Sequence, residues 1–269
     1  TLLNIGLDLL LVGACGMGIS GAAIATVFSQ GFAALLALGY LRWRQPQLLF
    51  GRADMRFDWS MLRRTASFGL VSALQQSAVY IGKLLVQGAV NSMGNEAINA
   101  YTAATRIEGF ANSFGDSGAE AISVFVAQNT GAGDPKRVKR GFFTGMLLMI
   151  GLGLTMSLVM FVGAHASLVL MLGEGGLGAL EDGIGYLRWV SVFYTLCFIG
   201  SSYVGLYRGI GWVSVPVIGS TLQITIRVIL SYALAGSLEL VGVAVATGIG
   251  WSAIVLYQTL LFRARVRLS

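Results

Sequence analysis

The sequence predicts an all-α membrane protein, a polytopic bundle of about eight transmembrane helices, on three observations. Of its 269 residues, 55% are hydrophobic and only 11% charged, with a mean hydropathy of +0.75, whereas a soluble chain carries about a quarter charged residues. Apolar stretches long enough to cross about 30 Å of hydrocarbon recur, as at 141–164, 189–207 and 240–262. The third observation is that Lys and Arg are sorted to alternate connections, as the positive-inside rule requires of a multi-pass protein.

In chain order the spans are expected at 1–15, 18–41, 65–90, 96–128, 141–164, 182–207, 213–235 and 240–262. The 37 Gly against three Pro suit close helix packing in lipid. Between spans two and three lie Arg42, Arg44, Arg52, Arg56, Arg63 and Arg64, and between four and five lie Lys136, Arg137, Lys139 and Arg140. Arg263, Arg265 and Arg267 follow span eight. These connections are expected in the cytoplasm. The opposite ones carry Glu96, Glu174, Glu181, Asp182 and Glu239 with no Lys or Arg, so they face outside. His165 is expected in or beside the outer loop 165–182. The net charge of +6 is thus a topology signal, and no basic residues alternate with aromatics on a water-soluble face, which argues against nucleic-acid binding. Cys15 and Cys197 fall inside apolar spans and suggest neither a disulfide nor a metal site.

The Arg-rich stretch 42–64, interrupted by Pro46, reads as a cytoplasmic linker between two lobes. An internal echo supports the division: Gly21-Ala22-Ala23-Ile24-Ala25-Thr26 in span two matches Gly242-Val243-Ala244-Val245-Ala246-Thr247 in span eight, both near the outer start of a helix running inward. The common direction fits parallel repeats, a transporter device. On that plan 1–41 are the last two helices of a first lobe, 65–262 a complete six-helix lobe and 263–269 a basic cytoplasmic tail. Four helices would then precede Thr1.

Ionisable side chains at membrane depth cost about 2.5–3.5 kcal/mol each even on a lenient insertion scale, so they mark cavities, partners or translocation paths. Asp8 follows Asn4 by four residues, on one helix face about one turn away, and the two offer oxygen ligands to a proton or small cation. Span four carries Glu108, Asn112, Asp116 and Glu120 at successive steps of four. Span three answers with Gln76, Tyr80, Lys83 and Gln87, so the two helices are expected to line one wet cavity. Lys83 and Glu108 are expected to approach each other or share a polar partner. The alternative is an internal polar network that holds no substrate. Arg227, near the middle of span seven, lies too deep to reach the headgroups. No Ser/His/Asp set, Walker-type Gly loop or HExxH motif occurs, which argues against an enzyme or an ATP-driven pump.

Asn4-Ile5-Gly6-Leu7-Asp8, followed by Gly18-Ile19-Ser20-Gly21-Ala22-Ala23-Ile24-Ala25-Thr26-Val27-Phe28-Ser29-Gln30, resembles helices five and six of multidrug and toxic compound extrusion (MATE) transporters. The blocks Ala100-Tyr101-Thr102-Ala103-Ala104-Thr105-Arg106-Ile107, Gln128-Asn129-Thr130-Gly131-Ala132-Gly133 and Arg208-Gly209-Ile210-Gly211 ahead of Pro216 extend the resemblance, which is nearest to the DinF-like bacterial branch. It implies a two-lobed, twelve-helix antiporter of the cytoplasmic membrane, a monomer that exchanges a proton or sodium ion for an organic, often cationic, drug. The bilayer and that drug-like substrate are its partners, and the coupling ion takes the place of any cofactor. The resemblance further implies a cation site on Asn4, Asp8 and Thr26. Gln76, Tyr80, Lys83, Glu108, Asn112, Asp116, Glu120 and Arg227 are the candidates for the substrate cavity. Many relatives carry a coupling Glu on helix seven, where this chain has Gln75 and Gln76. A lipid-linked oligosaccharide flippase of the wider superfamily and a non-transporting membrane fragment are the alternative readings.

Overall fold

The computed structural model describes residues 1–49, 51, 57–173 and 178–265. Every regular element among them is helical, and the chain forms two compact units, Thr1–Leu62 and Arg63–Ser269. Four helices are long and apolar enough to cross a membrane by length and composition: Gly18–Arg44, Pro135–Leu172, Leu180–Gly209 and Ser214–Ala264. The protein is therefore all-α and built to span a membrane.

The first unit is a helical hairpin. Helix α1 (Leu2–Asp8) changes at Leu9 into a π-helical stretch, Leu9–Ala14, in which the Cys15 N–H reaches back to the Leu10 carbonyl at 2.8 Å. The expected single span 1–15 is thus two kinds of helix, and the change falls directly after Asp8. Helix α2 (Gly18–Arg44) returns alongside it. A Cβ on Gly21 would lie 3.1 Å from the backbone of Leu11, so only glycine lets the hairpin close there. Helix α2 runs past the expected end at 41 and carries Arg42 and Arg44 in its last turn, where cations offset the helix dipole.

Helix α3 (Trp59–Asn91), whose first turn belongs to the first unit and the rest to the second, starts inside the stretch expected to be linker. Asp58 explains the early start: its carboxylate accepts the N–H groups of Ser60 and Met61 at 2.8 and 3.1 Å and caps the helix. Of the expected linker arginines, Arg52 and Arg56 lie outside the described residues, as do Glu174 and Arg267 elsewhere. Helices α4 (Asn95–Gly131), α5 (Pro135–Leu172), α6 (Leu180–Gly209) and α7 (Ser214–Arg265) follow. Glu239, at φ 48° and ψ −134°, breaks α7 into the two spans expected there. The α4–α5 turn depends on Gly133 at φ 72°, a region that costs a residue with a Cβ.

Helix α5 corrects two expectations. Asp134 accepts the Arg137 N–H at 2.9 Å and Pro135 sits in the first turn, so Lys136, Arg137, Lys139 and Arg140 belong to the helix rather than to a loop. At its other end His165 is helical too. Thirty-eight residues make a helix of roughly 57 Å, longer than the bilayer core of about 30 Å, so the hydropathy window marks only its middle.

Helix α6 is the centre of this unit. Tyr186, Leu187, Val190, Tyr194, Phe198, Leu206 and Tyr207 are fully buried on it, and their partners come from α4, α5 and α7. Gly205 and Gly209 let it approach α4. A Cβ on Gly205 would stand 2.5 Å from the Ala119 carbonyl oxygen, which as backbone cannot rotate away. Gly205→Ala is expected to destabilise the protein by about 1–3 kcal/mol. Gly163→Ala, where a Cβ meets nothing within 4 Å, is expected to be neutral or slightly stabilising. Unfolding midpoints of the purified variants in detergent check both; equal midpoints would show that the α4–α6 seam is not tight.

Helix α3 lies against the first stretch of α7. Buried Gln75 donates to the Pro216 carbonyl at 3.4 Å, and a Cβ on Gly82 would strike the Ile224 side chain.

Candidate functional site

In the first unit the α-helical spacing puts Asn4 and Asp8 on one face of α1, and both are half-buried. One carboxylate oxygen of Asp8, Oδ1, is shut off from solvent and makes no hydrogen bond. A polar atom in that condition is costly, and a carboxylate more so. Thr26 is exposed on α2, and its hydroxyl donates to the Ala22 carbonyl at 2.9 Å, which commits the proton and leaves the oxygen lone pairs available to a ligand. No hydrogen bond joins Asn4, Asp8 and Thr26 to one another. Ser29, one turn beyond Thr26, is a polar residue that sequence reasoning passed over, and its buried hydroxyl is likewise unpartnered. The π-helical stretch after Asp8 adds an irregular backbone of the sort that gathers at functional positions.

The second unit holds a different polar cluster. The Glu108 side chain accepts the Tyr186 hydroxyl at 2.7 Å, while the Tyr194 hydroxyl reaches both the Glu108 carbonyl and the Asn112 side-chain oxygen at 2.9 Å. The Cys197 thiol lies 3.8 Å from the same Asn112 oxygen. On the far side Arg227 donates from Nη2 to the Tyr101 hydroxyl at 3.2 Å. The rings of Tyr101 and Tyr186 stand edge to face with centroids 5.4 Å apart, and Glu108 and Arg227 attract each other across this pair. Glu108 and Arg227 are only 6% and 8% exposed, so both charges sit inside the helix packing. Phenols serve well as partners there, because each brings one hydroxyl on a large apolar ring.

The eight expected cavity residues therefore do not share one surface. Glu108, Asn112 and Arg227 come together among α4, α6 and α7. Gln76, Tyr80 and Lys83 are exposed on α3, with the Lys83 ammonium over the Tyr80 ring at 5.5 Å from its centroid. Lys83 makes no ion pair with Glu108, but its ammonium is near enough to attract that carboxylate, so the two approach without touching. Asp116 and Glu120 are also exposed, and Glu120 lines an open cleft of about 580 Å³ with Ser117, Val124, Phe125 and Gln128. The stripe on α4 is thus divided: Glu108 and Asn112 turn to α6, whose tyrosines satisfy them, and Asp116 and Glu120 face outward. The expectation that α3 supplies the answering face is corrected by Tyr186 and Tyr194, eight residues and about two turns apart on α6. That spacing, set against the four-residue step from Glu108 to Asn112, was the signal available. Among the described residues no group of three or more His, Cys, Asp and Glu is arranged to hold a metal.

The MatE family pattern matches residues 72–233. A probable multidrug resistance protein of Bacillus subtilis, YpnP, is 27% identical over 211 residues, which are 78% of this chain and 46% of that protein. A second from the same organism, YoeA, is 29% identical over 181 residues, 65% of this chain and 39% of its own length. An FAD transporter of Shewanella oneidensis is 30% identical over 157 residues, 55% of this chain and 34% of that one. Among solved structures, a MOP superfamily transporter from Pyrococcus furiosus matches with a TM-score of 0.88 at 21% identity, over 98% of this chain and 60% of that chain. The chain thus spans less than half the length of the two Bacillus proteins. With the family pattern covering more than half of its residues, on a fold of the same kind, the chain belongs to the MatE family of membrane transporters.

Proposed function

We propose that the protein exports organic, often cationic, compounds across the bacterial cytoplasmic membrane in exchange for protons or sodium ions, with Asn4, Asp8 and Thr26 as the cation site. The observation that carries this reading is the unpartnered, solvent-shielded oxygen of Asp8 in an apolar helical hairpin. A carboxylate so placed is stabilised by taking up a proton or a small cation, and a group that binds and releases a cation at membrane depth is what gradient coupling requires. The Bacillus relatives named for multidrug resistance support the substrate class. The exposed carboxylates Asp116 and Glu120 suit a cationic substrate, and the Shewanella FAD transporter gives one reason to include an anionic compound in the test.

The test uses an efflux-deficient bacterium expressing the full-length protein that carries this sequence. Ethidium is expected to leave loaded cells faster than from vector controls, and the difference should vanish when the proton and sodium gradients are collapsed together. Efflux equal to the control, or efflux that survives loss of both gradients, would sink the antiport reading. Gradient-driven movement of FAD with none of ethidium would replace the substrate class.

A further inference from the structure

We propose that the cleft between α4 and α5 at their Lys- and Arg-rich end is a binding site for an anionic phospholipid of the cytoplasmic leaflet. The cleft has a volume of about 840 Å³, within the range of roughly 300–1,000 Å³ that small-molecule sites occupy. None of its lining residues belongs to the buried Glu108 cluster. Lys136, Arg137 and Arg140 stand at its mouth, all exposed, and none of them is held in an ion pair. The one acidic group there, Asp134, is engaged as the cap of α5 by the Arg137 N–H at 2.9 Å, so the mouth keeps a balance of three cations to one anion.

Below the mouth the walls turn apolar. Phe125 of α4 lies against Gly141 of α5 and Ile122 against Gly145, and Leu148 extends the apolar lining, with Thr144 as a polar side chain between the basic rim and Leu148 along the helix. From Lys136 to Leu148 the helix rises roughly 18 Å, about the depth of one leaflet of the hydrocarbon core. A soluble anion would match only the rim, and a neutral detergent only the walls. A phosphate headgroup on an acyl chain matches both in the order in which the bilayer presents them. Basic pockets between transmembrane helices on the cytoplasmic side recognise anionic lipid headgroups for this reason, and the surplus of Lys and Arg at this end sets it on that side.

The test titrates the purified protein in detergent with phosphatidylglycerol, phosphatidylcholine and inorganic phosphate, reading bound mass by native mass spectrometry. Phosphatidylglycerol is expected to bind, phosphatidylcholine at least about tenfold more weakly, and phosphate at the same concentration neither to bind nor to compete. Each of Lys136→Ala, Arg137→Ala and Arg140→Ala should weaken phosphatidylglycerol roughly fivefold, and the three together roughly a hundredfold. The triple variant's unfolding midpoint without lipid reports whether it is folded. If it is not, the single variant Arg140→Glu and a photoactivatable phosphatidylglycerol decide the matter, the adducts being expected between Ala121 and Leu148. Undiminished binding to the folded variants, equal affinity for phosphatidylcholine, competition by phosphate alone, or adducts confined to other helices would overturn the proposal.

Discussion

Arg227→Met is expected to destabilise the protein by about 3–5 kcal/mol, the cost of leaving one member of a buried charge pair uncompensated. The methionine keeps the unbranched apolar stem of the arginine and drops only the guanidinium beyond it, so the stem's packing on α7 is retained. What changes is that Glu108, buried on α4, loses the guanidinium that acts on it most strongly, and the Tyr101 hydroxyl loses its donor. Glu108→Gln in the same background is expected to recover most of the loss, because an amide still accepts the Tyr186 hydroxyl and carries no charge to be offset. Measured as a double-mutant cycle on unfolding in detergent, the coupling should exceed about 1 kcal/mol. Additive effects of the two substitutions would falsify the view that Glu108 and Arg227 act as a pair through the tyrosines.

The second large effect is functional. Asp8→Asn in the full-length protein should reduce gradient-driven efflux to the background rate while leaving the unfolding midpoint equal or higher. The two readouts part company for one reason. The Asp8 carboxylate has a shielded oxygen without a partner, so its charge costs the folded state stability, while that same charge is what would draw a proton or sodium ion. Asparagine fills the same volume and carries no ionisable proton. Asp8→Glu, which keeps the charge, should retain part of the activity. Wild-type efflux by the Asn variant at equal expression would remove Asp8 from the site, and a collapse in stability would recast it as a packing residue.

Much of this architecture was legible in the sequence. Apolar length marked the four helices that are long and apolar enough to cross a membrane, whereas α3 and α4, expected among eight spans, fall outside that set among the described residues, and the break at Glu239 falls between two of the expected spans. Helix ends were less legible: the long helices extend past the hydrocarbon, and Asp58 and Asp134 start α3 and α5 among charged residues that hydropathy assigns to loops. The site was legible only in part. Steps of four along α4 identify Glu108 and Asn112 as sharing a face, but periodicity names a face and not the neighbour it meets. Tyr186 and Tyr194 looked like ordinary aromatics of an apolar span, and their hydroxyls gain meaning only once α6 is docked. Ser29 had no chance of notice, since a hydroxyl on a helix normally bonds back to its own backbone and only the folded hairpin shows that this one does not.

Helix α6 has a further consequence, for how the chain is made. Among the four strongly apolar helices its richest window has the lowest mean hydropathy, 1.4 against 2.2 for α5, and half of that window is buried by neighbours against 17% for α5. Partitioning into lipid alone therefore favours α6 least of the four, since the hydroxyls of Tyr186, Tyr194 and Tyr207 find their partners on α4 and α7 and only once those helices are in place. Synthesis from the N-terminus delivers α4 and α5 first. Two of the three surfaces that α6 packs against are then in the bilayer before it emerges, and its docking, rather than its greasiness, fixes the moment at which this unit becomes a protein instead of a set of separate helices.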